Sequence, residues 1–343
     1  MEYSSLEQRI AGGYLAMLPE FVPLEQGKAS TGEQREFYGL MKTLYQLLLD
    51  DPGLLIPTLH EDDAYPTRYK KAYGKPQLDT AVLKAERAVK TLLNTMFLMG
   101  RGQEVKRNKR IRNIFSRLGV EEGGRLPAGW TWMASRPGAD SVAFAYCLFD
   151  RNHVYARDIY APLLGEEPFR RLEQWMLSQG YRAYDIYKTE WADYRLSLSY
   201  ANPAWGQEPP SAGNEYKIRH TGISVEYDAY TASPVSLGLC IPYGMKPFLE
   251  RFAQMSPKVQ ELVLERTKRC DGCRYCVQTD KTGIRPLACV PVEHQGAAHK
   301  LCPYFPGYAY RWTSLSNGLV GQMTAFLDFM DGFAQEIGSE KTN

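Results

Sequence analysis

No apolar run in this chain reaches the length needed to cross a bilayer, and the N-terminal MEYSSLEQRIAGGYLAML lacks the basic stretch and apolar block of a secretory signal. The expectation is a cytoplasmic protein with no membrane partner. Net charge is almost absent as well. With 41 Lys and Arg against 39 Asp and Glu the chain carries +2, too little to make a polyanion the default partner without a local basic patch. Nothing matches a phosphate-binding P-loop, a dinucleotide fingerprint, a zinc-protease helix or a nucleophile elbow, so no signature names a reaction. Cysteine is sparse outside one segment. Cys147 and Cys240 stand alone in FAYCLF and LGLCIP, where a thiol reads as a small buried hydrophobe.

What remains is an ordinary globular balance, 44% apolar and 23% charged residues over 343 positions, a length that favours about two domains. The first third is helical in pattern. Phe37, Leu40, Met41, Leu44, Leu47 and Leu48 recur at three-and-four spacing behind Thr31, which forms a capping-box pattern with Gln34, and Asp51-Pro52-Gly53 stops the run. A second stripe from Leu78 to Met96 ends at Gly100, and the two stripes are expected to face each other. A third helix over 105–118 should bury Ile111, Ile114, Phe115 and Leu118 and turn Lys106, Arg107, Lys109, Arg110 and Arg117 outward.

The Gly- and Pro-rich stretch 121–140 is the expected boundary between a helical region, 1–124, and an α+β region, 125–343. Beyond it, SVAFAYCLF has the length and residue types of a buried strand, and PFRRLEQWMLSQG reads as a helix ended by Gly180. The stretches YRAYDIYKTEWADYRLSLSY, YKIRHTGISVEYDAYT and SPVSLGLCIPY read as strands. Ser256-Pro257 opens a helix with Val259, Leu262 and Val263 inside, and Leu315 to Ile337 forms a closing stripe. The fold class expected is α+β, with a Cys-rich loop between two C-terminal helices.

That loop carries the main chemical signal. Cys270, Cys273 and Cys276 form CDGCRYC, and Cys289 and Cys302 follow. Thiolates two residues apart can turn toward one point while intervening N–H groups support the sulfur charge. In a reducing compartment such clustering indicates a metal site more than disulfides. The five cysteines, with His294 and His299 as alternative nitrogen donors, outnumber the four positions of tetrahedral Zn2+, so at least one is a bystander. A structural zinc is the first expectation. The rival is a [4Fe–4S] cluster of redox function, because C-x2-C-x2-C with a remote Cys302-Pro303 resembles the ferredoxin ligand pattern; Asp280 stands where that pattern has its close fourth cysteine.

The block CDGCRYC, QTDKTG and LCPYFPGYAYRW also resembles the Cys-rich C-terminal segment of uncharacterised bacterial proteins. The resemblance implies no activity and transfers no catalytic role.

Three weaker signals have bland alternatives. The run KRNKRIR, 106–112, could contact phosphates of nucleic acid, but an amphipathic helix must show some face to water and a solvated face is the preferred reading. Tyrosines at 181, 184, 187, 194, 200, 216, 227 and 230 could line a small-molecule pocket on the sheet, although strands select Tyr in any case. His60 with Glu61, Asp62 and Asp63, and Glu226 with Asp228, offer oxygen ligands or an acid–base pair but read more simply as solvated carboxylates.

Overall fold

The computed structural model describes residues 5–24, 31–60, 80–120, 123–150, 153–188, 195–205, 221–227, 235–241, 244–271, 279–280, 283–284, 288–307 and 309–340. The chain is α+β and divides into two compact units. The first takes Met1–Tyr160 with Tyr187–Ser197 and Tyr227–Pro234; the second takes Ala161–Ile186, Leu198–Glu226 and Val235–Asn343. The boundary expected between 124 and 125 falls inside the first unit.

In the first unit α1 (Leu6–Ala16), α2 (Thr31–Asp50), α3 (Thr80–Gly100), α4 (Lys109–Arg117), α5 (Ala128–Ser135) and α6 (Ser141–Ala145) precede α7 (Tyr155–Leu164), within which the division falls. The apolar spacing of α2 buries Phe37, Met41, Leu44 and Leu48 as the stripe requires. Its amide partner differs from expectation. Gln34 is fully buried and its Oε1 accepts the N–H of Leu24 at 2.8 Å, so that oxygen is used to tie the preceding chain to the helix.

The stripes of α2 and α3 meet mainly through α5, which packs on both. Gly129 makes this possible: a Cβ there would overlap the Glu33 carbonyl oxygen and lie 2.8 Å from the Phe37 nitrogen. Glu36 Oε2 accepts the Gly129 N–H at 2.6 Å, supplying a cap that the Pro127 N-cap position does not. Trp130, fully buried, donates its indole N–H to the Met96 carbonyl at 2.7 Å. The Gly/Pro-rich stretch 121–140 therefore includes a packed helix.

SVAFAYCLF is not a strand. Residues 141–145 form α6 because Asp140 accepts the N–H groups of Val142 and Ala143 at 3.0 and 2.7 Å, and Cys147 then turns the chain with φ 54°. Every residue from Val142 to Phe149 is buried, so the apolar run carried no period that could separate helix from strand. Cys147 is buried as expected, while Cys240 is half-buried, with its Sγ 3.7 Å from Ser224 Oγ.

The second unit opens with α8 (Glu166–Ser178), closed by Gly180 at φ 86°, and contains most of a five-stranded sheet ordered β1 (Arg182–Lys188), β2 (Arg195–Ala201), β3 (Thr221–Tyr227), β4 (Val235–Cys240) and β9 (Ala309–Trp312). β2 and β3 pair antiparallel with Leu198 opposite Val225, and β4 and β9 pair antiparallel with Leu237 opposite Trp312. Between β4 and β9 come α9 (Met245–Leu249), α10 (Pro257–Arg266), the short pair β5 (Thr279–Asp280) and β6 (Gly283–Ile284), and the hairpin β7 (Val290–His294) with β8 (Ala297–Leu301). The closing helix α11 (Asn317–Glu340) packs on α8 and α10 and buries Val320, Met323, Phe326, Leu327, Met330 and Phe333, the positions its sequence stripe marks.

Candidate metal centre

The hairpin β7–β8 turns through Gln295 and Gly296, both at positive φ, 51° and 76°, the pattern of a tight turn matched to strand twist. Its register pairs Val290 with Leu301, Val292 with His299 and His294 with Ala297. A third segment joins it where Arg269 pairs antiparallel with Leu301: the Cys270 N–H donates to the Lys300 carbonyl and the Cys302 N–H to the Lys268 carbonyl, each at 2.8 Å. Leu301 thus stands in the middle of three chain segments.

Directly paired residues in an antiparallel ladder share a face, and successive residues alternate. Val290, Leu301 and Arg269 take one face. Their chain neighbours take the other, which assigns Cys270 and Cys302 to a common side. Cys289 directly precedes Val290 and Cys302 directly follows Leu301, the last pair of the ladder. Cys302 is buried, Cys270 and Cys289 are half-buried, and all three are free thiols. Lys268 and Lys300 belong to the same face, with Lys268 Nζ held 3.0 Å from Asp271 Oδ2.

The histidines are placed elsewhere. His294 and His299 lie on the opposite face of the hairpin, with Val290, Val292 and Leu301. His294 sits at the tip, five residues from Cys289 and so about 17 Å along the strand, and its Nδ1 is 3.0 Å from Gln260 Oε1 on α10. Neither imidazole shares the ladder face of Cys270 and Cys302. Cys273 and Cys276 lie outside the described residues. Among the described residues no group of three or more His, Cys, Asp or Glu is close enough to hold a metal ion, so Cys270, Cys289 and Cys302 do not make a site by themselves.

The weaker candidates divide similarly. Tyr181 and Tyr200 are buried; the Tyr181 hydroxyl donates to Asp331 at 2.8 Å and the Tyr200 hydroxyl to Glu173 at 2.5 Å, so both belong to the packed interior of the second unit. Tyr184 is half-buried on β1. Tyr187 and Tyr227 are described through the backbones of β1 and β3, and Tyr194, Tyr216 and Tyr230 lie outside the described residues. Glu226 is described as a backbone position of β3, while Glu61, Asp62, Asp63 and Asp228 lie outside, leaving His60 exposed at the edge of the described chain. No helix among the described residues is long and apolar enough to cross a membrane.

A polar cluster unmarked in the sequence appears on α11. Asp331 Oδ1 accepts from the Tyr181 hydroxyl at 2.8 Å, the Asn202 amide at 3.1 Å and the Trp205 indole at 2.7 Å. Burial raises the Asp331 carboxyl above its ordinary range, and the three donors oppose that shift. Burial and the nearby carboxylate push the Tyr181 hydroxyl up in turn. The partners are 126 to 150 residues away in sequence, so no local pattern could have announced them.

No protein-family model matches this chain, and no curated protein or solved structure matches it either. The functional reading therefore rests on the residues themselves.

Proposed function

We propose that the segment 270–302 binds one Zn2+ through four of Cys270, Cys273, Cys276, Cys289 and Cys302, and that this ion is structural. The observation that supports the reading is the hairpin register: free Cys289 and Cys302 flank its last pair, Val290 and Leu301, and the N–H groups of Cys270 and Cys302 join the same strand to the segment before Cys270. Thiolate sulfur is the donor tetrahedral zinc takes in closed sites, and backbone N–H groups nearby are its usual outer support.

The physical need is local. One face of the hairpin is covered through Val290, Val292 and Leu301, whereas Pro291, Glu293, Ala298 and Lys300 on the other are exposed. A segment with so little core on that side gains stability from a bound ion, because metal affinity is realised only when the ligands are assembled. Such a module fixes geometry for a binding or regulatory protein.

Anaerobic purification followed by elemental analysis tests the reading. The expected result is colourless protein with one equivalent of zinc, and Cys302→Ser should lose the metal and melt at lower temperature, while Cys240→Ser keeps it. Brown protein bleached by dithionite would replace zinc with a [4Fe–4S] cluster on the same cysteines. Metal-free protein with an unchanged melt in Cys302→Ser would end the proposal.

A further inference from the structure

A different feature belongs to the first unit. The sequence stripe of α4 buries Ile111, Ile114 and Phe115, and residues of the helix together with Asp51, Gly53 and Leu54 of the turn after α2 line an open recess of about 1040 Å³. Among the described residues, Arg107, Lys109, Arg110 and Arg112 line it together with the Asp51 carboxylate. That carboxylate is itself 3.8 Å from Arg117 Nη1. Four of the described lining residues are basic.

Two properties separate this arrangement from a merely solvated helix face. The charges border a concavity of the size that holds small ligands, and at least one guanidinium is oriented, because Arg110 Nη1 donates to the Leu55 carbonyl at 3.1 Å. Asn113 and Ser116 add neutral hydrogen-bonding groups to the lining. Helical spacing puts 109, 112, 113 and 116 on one ridge. The rise from Lys109 to Arg112 is only about 4.5 Å, so the cationic groups gather at one place and do not track a long strand.

We infer that this recess binds a compact polyphosphate, the chemical class that includes inorganic tripolyphosphate and the triphosphate end of a nucleotide. Guanidinium forks match phosphate oxygens in pairs, and several adjoining phosphates place their negative charge within the short span that these side chains cover. An extended nucleic acid would instead need basic residues spaced along its backbone. The bulk charge provides little long-range attraction for such a polymer.

Calorimetric titration of the full chain with inorganic tripolyphosphate, and in parallel with ATP and with a twenty-nucleotide single-stranded DNA, tests the assignment. One tripolyphosphate should bind per chain, ATP should compete for the same site, and the double variant Arg110→Gln with Arg112→Gln should weaken both by on the order of tenfold or more. Arg170→Gln, which removes an exposed arginine from α8, should leave binding unchanged. Circular dichroism melts of each variant check that the fold is retained, and Lys109→Gln gives an independent reading should the double variant melt early. No tripolyphosphate binding at millimolar concentration, or equal weakening by Arg170→Gln, overturns the proposal. DNA binding that is tighter than tripolyphosphate and lost in the same variants also overturns it, in favour of a nucleic-acid surface.

Discussion

Two helices in this protein are docked with different emphasis. In the first unit α5 reaches α2 and α3 through close backbone approach at Gly129 and ring packing of Trp130 against Phe115, with ring centroids 5.5 Å apart. In the second unit α11 also presents an apolar stripe, with Phe326 5.5 Å from Phe248, but at Asp331 it is tied by three hydrogen bonds from Tyr181, Asn202 and Trp205. The difference teaches where each contact is vulnerable. Apolar docking fails when volume or spacing changes; carboxylate docking fails when donors lose their acceptor or the proton balance shifts.

The largest effect should come from Gly129→Ala. The added methyl has no free volume and meets backbone atoms of Glu33 and Phe37 that cannot rotate away, so a cost of about 3 kcal/mol or more is expected. Chemical denaturation followed by tryptophan fluorescence measures it, and a wild-type midpoint in the variant would refute the close approach of α5 to α2.

Asp331→Leu should come next, at about 2–3 kcal/mol, since three buried donors would lose their acceptor. Asp331→Asn keeps an oxygen for them and should cost less. If the two variants were equally stable, the three hydrogen bonds would not be what holds α11 at this point.

The smallest effect is in pH dependence. Burial raises the Asp331 carboxyl, so the folded chain holds this proton more tightly than the unfolded chain does. The group's contribution to stability is therefore complete below the ordinary aspartate value, near pH ~4, and is lost as pH climbs through the raised folded value. Melting temperatures of Asp331→Asn across that window should show a flatter dependence than wild type; an identical slope would remove Asp331 as its source.

Periodic helices were legible from residue order alone. The buried positions of α2, α4, α10 and α11 follow from their spacing, because a helix must hide one stripe and the stripe recurs every three or four residues. Elements without a period were not. α6 lies in a continuously buried run, and α5 lies in a Gly- and Pro-rich stretch whose glycine serves close packing and not a linker. The candidate metal centre was legible as a set of cysteines, but not in its membership. Spacing alone left His294 and His299 as donors, and the pairing of Val292 with His299 and His294 with Ala297 assigns them to the other face.

Sequence by itself determined which residues are chemically capable: thiols clustered in one loop, guanidinium groups crowded on one short helix, and apolar stripes that commit segments to helices. Tertiary structure alone decided which of them meet. A ladder register turns each side chain to one of two faces, and folding brings Asp51 beside Arg117 or Asp331 beside Tyr181 across separations that no local periodicity encodes.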